Sequence, residues 1–163
     1  MKNIGFGILV TFSILALLGA DGTGQTVHFP QHGFSIAALE DPNAGGNTIL
    51  LTMSLPPSDG ISPNINVLSQ DYAGSLDDYL ALSKQQFADN KFKLISSQKL
   101  DGQTAVLEYS GMLNDRDFHW YAKVSLKGHG VLLATATATE KQWPDDEKQL
   151  RACIDSFSRD GAP

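Results

Sequence analysis

The stretch that most limits the fold is residues 131–139, VLLATATAT, which keep a strict two-residue alternation. Threonine favours strands through its branched Cβ, whereas a flexible linker is typically rich in glycine, serine or proline. Both faces of the alternating segment can be buried, so the pattern predicts a central strand. Because alanine side chains are short, we expect a helix to lie close to the backbone on the face formed by Leu132, Ala134, Ala136 and Ala138.

The residues that follow supply that helix, predicted over residues 144–158. Pro144 suits the first helical position, and the acidic residues after it complement the positive end of the helix dipole. An apolar stripe with helical spacing follows, formed by Leu150, Cys153, Ile154 and Phe157. The stripe predicts that Cys153, the one cysteine of the chain, is a buried small hydrophobe and not a nucleophile.

The remaining elements predict an α+β fold with a mainly antiparallel sheet. A helix should begin after Ser75, which forms a capping box with Asp78, and end near Asn90. Tight turns at 101–102, 114–115 and 128–130 separate strands in series, which antiparallel hairpins require. Residues 26–29 and 33–37 predict two short strands or a single bent one. The other predicted strands cover residues 48–55, 64–68, 92–100, 104–112, 117–126 and 131–139.

Residues 1–24 have the pattern of a secretory signal peptide: Lys2, then the apolar run of residues 4–18, then small residues. A retained N-terminal anchor is the alternative, although the apolar run is short for a membrane span. We expect cleavage to leave a mature protein that starts between Asp21 and Thr26. This product is periplasmic or secreted, in contact with a membrane only through an uncleaved leader. Residues 25–158 then form a single domain, and residues 159–163 form a flexible tail.

Composition and motifs exclude several classes of function. The net charge of −6 disfavours nucleic-acid binding, which depends on lysine and arginine. The sequence contains no GxSxG, phosphate-loop or dinucleotide motif, and the acidic pairs at 77–78 and 145–146 lie where first helical turns favour acids. A metal site at His28 and His32 is a minor alternative to their role as turn residues. We therefore predict no catalytic residue, no metal and no cofactor.

Four polar side chains remain as a possible binding surface. Asn64 and Asn66 share one face of their strand, and His119 and Tyr121 share one face of theirs. The sequence does not tell whether the two faces meet.

The order of elements resembles the PsbP/DcrB-like family over about residues 26–158. The similar segments are HGFSIAAL, NINVLSQDYAGSLDDYL, LDGQTAVLEYSG, GVLLATATATEKQW and DDEKQLRACIDSFS. These segments mark a fold and contain no catalytic motif. The resemblance implies a three-layer α-β-α sandwich with a mainly antiparallel central sheet. The family's members include extrinsic photosystem subunits, periplasmic proteins implicated in phage uptake and cytosolic chaperones for secreted toxins.

Two hypotheses follow for the function. The first is a non-catalytic exported accessory domain that acts through protein–protein contact in the bacterial cell envelope, with an unidentified protein partner. The second is a small-ligand-binding protein or enzyme that uses a polar pocket near His119, Tyr121, Asn64 and Asn66. A deep pocket that joins these side chains would favour the second, and scattered side chains on a shallow surface would favour the first.

Overall fold

The computed structural model describes residues 26–29, 33–37 and 47–159. The chain divides into two compact units, Met1–Gly46 and Asn47–Pro163. In the first unit, β1 (Thr26–Phe29) and β2 (Phe34–Ala37) form an antiparallel hairpin with Thr26 opposite Ala37. The two short strands predicted there are confirmed. Residues 1–24, predicted to be a signal peptide, and the last four residues lie outside the described residues.

The second unit contains a six-stranded antiparallel sheet and two helices, which confirms the predicted α+β fold. The strands are arranged in the order β3-β4-β8-β7-β6-β5, so β3 and β5 are the edges and β8 is central. The elements in chain order are β3 (Asn47–Ser54), β4 (Asn64–Asp71), α1 (Leu76–Asp89), β5 (Lys93–Lys99), β6 (Thr104–Leu113), β7 (Arg116–Lys127), β8 (Gly130–Thr139) and α2 (Trp143–Ser156).

The alanine face of β8 is covered by α2, as its shallow side chains predict. Ala136 is completely buried and belongs to one apolar cluster with Ile65 of β4 and with Leu150 and Ile154 of α2. The helix ends two residues earlier than predicted. The Lys123 Nζ of β7 donates to the main-chain oxygens of Asp155 and Phe157, at 3.0 and 2.7 Å, and thereby satisfies carbonyls that the helix end leaves without partners.

The opposite face of the sheet carries α1 and an aromatic core, so the unit has the three layers that the resemblance implies. Phe87 of α1 stacks on Tyr109 of β6 with ring centroids 4.2 Å apart, and Tyr109 stacks on Trp120 of β7 at 5.1 Å. Ser75 and Asp78 form the predicted capping box at the start of α1. The Tyr79 hydroxyl donates to Gln70 Oε1 at 2.7 Å and anchors α1 to β4.

One buried amide connects the loop after β3 to the start of α2. Gln142 Nε2 donates to the main-chain oxygens of Ser58 and Ile61 and to the Ser58 hydroxyl, at 2.5 to 2.9 Å. Gln142 Oε1 accepts from the main-chain N–H and the hydroxyl of Thr139, at 3.0 and 2.9 Å. The amide thereby holds residues 58–61 against the end of β8.

Candidate functional site

The four polar residues predicted from the sequence lie on opposite faces of the sheet. Asn66 pairs with Thr135, and Thr135 pairs with Ala122 on β7, so both asparagines lie on the face that carries Ala122 and Trp120. His119 and Tyr121 alternate with those residues and lie on the face that α2 covers. The structure therefore does not bring the four side chains into one pocket.

The asparagines form a short hydrogen-bonded row across β3 and β4. The Thr52 hydroxyl donates to Asn66 Oδ1 at 2.7 Å, and Asn66 Nδ2 donates to Asn64 Oδ1 at 3.0 Å. Asn64 Nδ2 in turn donates to the main-chain oxygen of Ser62 at 3.1 Å. These bonds stabilise the sheet near the loop that follows β3.

His119 is a buried histidine held between two carboxylates and an indole. Its Nε2 lies 2.9 Å from Glu108 Oε1 on β6, and its Nδ1 lies 3.2 Å from Glu140 Oε1 after β8. The ring stacks on Trp143 of α2 with centroids 4.0 Å apart and planes 17° apart. An ionised carboxylate can only accept, so both contacts are hydrogen bonds when each ring nitrogen carries a proton. His119 therefore joins three elements through one ring.

Arg151 of α2 extends this cluster along the same face. Its guanidinium contacts Glu108 Oε1 and donates from Nε to Glu147 Oε1 at 2.7 Å. It also lies 4.2 Å above the Tyr121 ring, a cation–π arrangement. The Tyr121 hydroxyl donates to Asp155 Oδ1 of α2 at 2.9 Å. Together these contacts attach α2 to β6 and β7.

Glu108 is the carboxylate at the centre of the cluster, in contact with both His119 and Arg151. Burial alone would raise the pKa of Glu108, but hydrogen bonds from His119 and Arg151 outweigh burial and hold that pKa below its ordinary value. The pKa of Tyr121 is raised, first by burial and then by its hydrogen bond to Asp155. Both nitrogens of His119 face carboxylates, so the ring is held in place between β6 and the residue that follows β8. The cluster is suited to positioning α2.

The other sequence candidates show no site in the part of the chain that is described. Cys153 is half-buried and packs against the α2 cluster, so the expectation of full burial was wrong in extent. His32 and the side chain of His28 lie outside the described residues. Within the described ranges, no group of three histidine, cysteine or acidic side chains is placed to hold a metal ion.

An exposed apolar surface on β3 was missed by the sequence reasoning. Ile49, Leu50, Leu51 and Met53 are each between 40% and 59% exposed, and the strand sequence NTILLTMS contains no charge. Met53 pairs with Ile65, so its side chain lies on the α2 face of the sheet. A continuous apolar run is typical of a buried strand, and only the strand order shows that this one is an edge.

A shallow groove lies beyond the end of β3, beside α2. It has a volume of about 600 Å³ and runs between the loop after β3 and the first turns of α2. Its apolar side is formed by Leu55, Pro56 and Pro57, and its polar side carries acidic residues. The other lining residues are Ser58, Asp59, Lys141, Gln142, Asp145, Asp146 and Gln149.

Comparison with known proteins agrees with the fold and with the resemblance. No family model matches the chain. The crystal structure of PA94, a protein of unknown function from Pseudomonas aeruginosa, aligns with TM-score 0.61 and 16% identity over 86% of this chain and all of that one. A stretch of 39 residues, 24% of this chain, is 49% identical to the chloroplastic PsbP domain-containing protein 6 of Arabidopsis thaliana. The chain has a PsbP-like α+β fold.

The match to the Arabidopsis protein spans 15% of that protein's length. The solution structure of cyanobacterial PsbP (CyanoP) from Synechocystis aligns with the PsbP-like chain at TM-score 0.45 and 18% identity, over 88% of this chain and 98% of that one. At these identities the structural comparison shows the fold alone. Neither 14-residue helix in the described part of the PsbP-like chain is long and apolar enough to cross a bilayer.

Proposed function

We propose that this PsbP-like chain is a non-catalytic accessory protein of the bacterial cell envelope that acts by binding another protein. The observation that carries the proposal is the apolar surface of β3, defined by Ile49, Leu50, Leu51 and Met53. An uncharged edge strand with exposed apolar side chains promotes aggregation if it stays uncovered. Such a surface on a native protein therefore indicates a site where a partner binds.

The size of this surface shows what the partner has to provide. If the four side chains expose roughly 300 Å² together, burying them contributes about 7 kcal/mol. Association itself costs about 4–15 kcal/mol in lost freedom of motion. The β3 surface therefore supports binding only when further contacts add to it.

The polar cluster around His119 favours an accessory role over an enzymatic one. Its carboxylates and its histidine are engaged with one another and with Arg151. The alternative, a ligand pocket shared by His119, Tyr121, Asn64 and Asn66, loses its basis because these residues lie on opposite faces of the sheet.

Export is the second part of the proposal and rests on residues 1–24. Expression in a Gram-negative host followed by osmotic shock should release the mature protein. Its intact mass should correspond to an N-terminus between Asp21 and Thr26. A membrane-bound protein whose mass includes Met1 would show that the leader is a retained anchor.

Site-specific crosslinking tests the binding role. A photoreactive residue at position 53, on β3, should form an adduct in cells, whereas the same residue at position 112 should form none. Met112 is a matched control because it is also an exposed methionine on a strand of the sheet, at 62% exposure. The L51S/M53S variant should lose the captured protein and M112S should retain it. No adduct at position 53, or equal adducts at both positions, would count against the proposal.

A further inference from the structure

The groove beside β3 is negatively charged as well as apolar. Asp145 and Asp146 lie in the first turn of α2, and the structure gives neither an ion-pair partner among the described residues. Lys141 lies in the same groove, but its Nζ is 3.2 Å from Asp59 Oδ2 and is therefore compensated. The groove thus has two carboxylates that meet the positive end of the α2 dipole but have no ion-pair partner among the described residues, in a chain whose net charge is −6.

The apolar part of the groove begins directly after β3, at Leu55. Met53 and Leu55 are two residues apart, Met53 is on the α2 face, and Leu55 packs against the α2 cluster. Pro56 and Pro57 then continue the apolar wall beside α2. A single extended segment could therefore contact Met53 and reach the carboxylates at the start of α2.

We propose that this groove receives a partner segment that alternates apolar and basic residues. The inference rests on the proposed function and adds the chemistry of the partner. The apolar side chains of the segment contact Met53, Leu55 and the two prolines, and its lysine or arginine side chains pair with Asp145 and Asp146. Charge complementarity of this kind directs the orientation and the rate of association.

A labelled synthetic peptide tests the chemistry without knowledge of the natural partner. The probe is a fluorescein-labelled peptide that alternates leucine and lysine, and its counterpart alternates leucine and glutamate. Fluorescence anisotropy should show binding of the leucine–lysine peptide, weakening with added salt because the paired charges are exposed. Equal binding of the leucine–glutamate peptide would refute the charge pairing.

Matched variants locate the binding. D145N/D146N should lower the affinity for the leucine–lysine peptide roughly 3- to 30-fold, since each exposed ion pair changes affinity by about a few-fold. D71N/D89N makes the same change in net charge and should leave affinity unchanged, because Asp71 is at the far end of β4 and Asp89 ends α1 on the other face. An equal loss in both variants would show attraction to the whole acidic protein and would refute the groove.

A second variant keeps the test valid if removal of acids weakens the helix start. Gln149 is exposed, lines the groove, and lies beyond the first turn of α2. Q149K should weaken binding of the leucine–lysine peptide while the far-ultraviolet circular dichroism of the protein stays unchanged. Unchanged affinity in Q149K and in D145N/D146N would overturn the inference.

Failure of this inference can be told from failure of the proposed function. If the adduct at position 53 persists in cells and D145N/D146N still captures the same protein, the binding role stands and the acidic groove does not. If sedimentation shows that wild-type protein dimerises and M53S does not, the occupant is a second copy, and the basic segment is refuted. Loss of the captured protein in D145N/D146N, with retention in D71N/D89N, supports both.

Discussion

Replacing Glu108 with glutamine isolates the centre of the polar cluster. The variant keeps the size of the side chain but removes its negative charge. In the wild type, one carboxylate oxygen of Glu108 contacts both His119 and Arg151. The loss falls on partners that are largely buried, so water compensates them poorly. We therefore expect E108Q to destabilise the second unit through the attachment of α2.

The size of the effect follows from the exposure of the pair. Breaking a fully buried ion pair costs about 3–5 kcal/mol, and an exposed pair is worth about 0–1 kcal/mol. The side chain of Glu108 is 13% exposed and that of Arg151 is 26% exposed, so the pair lies between these limits. We expect about 2 kcal/mol, which lowers a urea midpoint by about 1 M.

Urea unfolding followed by tryptophan fluorescence measures this effect. E147Q is the matched control, because Glu147 contacts the same arginine from an exposed position and should cost at most about 0.5 kcal/mol. Combining E108Q with R151M gives a double-mutant cycle that should show a coupling of about 1 kcal/mol or more. An E108Q midpoint within about 0.2 M of wild type at neutral pH would refute the reasoning.

The same variant has a defined pH dependence. The folded-state pKa of Glu108 lies below its ordinary value of 4.5, so its ionised form stabilises the fold. That contribution is fully present above pH 4.5 and is lost as the pH falls through the lowered folded-state pKa. The difference in stability between wild type and E108Q should therefore shrink below pH 4.5, and a difference that grows there would contradict the assignment.

Three further outcomes test the packing around α2. Ala136→Leu, at a fully buried position under α2, should lower the free energy of unfolding by about 1–3 kcal/mol through overpacking. Ala152→Leu, on the exposed side of α2, should change it little. Equal urea midpoints for the two variants would refute the packing. Cys153 should react with a thiol reagent more slowly in the native protein than in urea, and equal rates would place the sulfur in open solvent. Gln142→Ala should speed hydrogen exchange in residues 58–61 and cost about 2 kcal/mol, and unchanged exchange would remove its role as the connection to that loop.

Local patterns were enough to predict most elements of the fold. The alternation of residues 131–139 gave a strand that the structure places at the centre of the sheet, and the capping box gave the start of α1. Boundaries moved by a few residues, because strand pairing extended β4 to Asp71 and Lys123 supplied a partner to the end of α2. Both causes are tertiary and leave no local signal.

The polar cluster was partly predictable, and the binding surface was not. The turn at Asn114 and Asp115 sets the register of β6 and β7, which places Glu108 opposite Tyr121 and next to His119. That register could have joined Glu108 to His119 before the structure was known. The exposure of β3 could not be deduced, because its apolar run is equally compatible with a central strand.

The amide of Gln142 gives the groove beside β3 a fixed width. It bonds to residues 58–61, which follow one wall, and it stands directly before α2, which forms the other. The two walls are therefore held in place when the protein folds. Binding of a partner segment then requires little further ordering of the groove. Most of the ordering cost of a complex then falls on the incoming segment. A partner segment that is already extended, or stiffened by proline, should bind more tightly than a flexible one of the same composition.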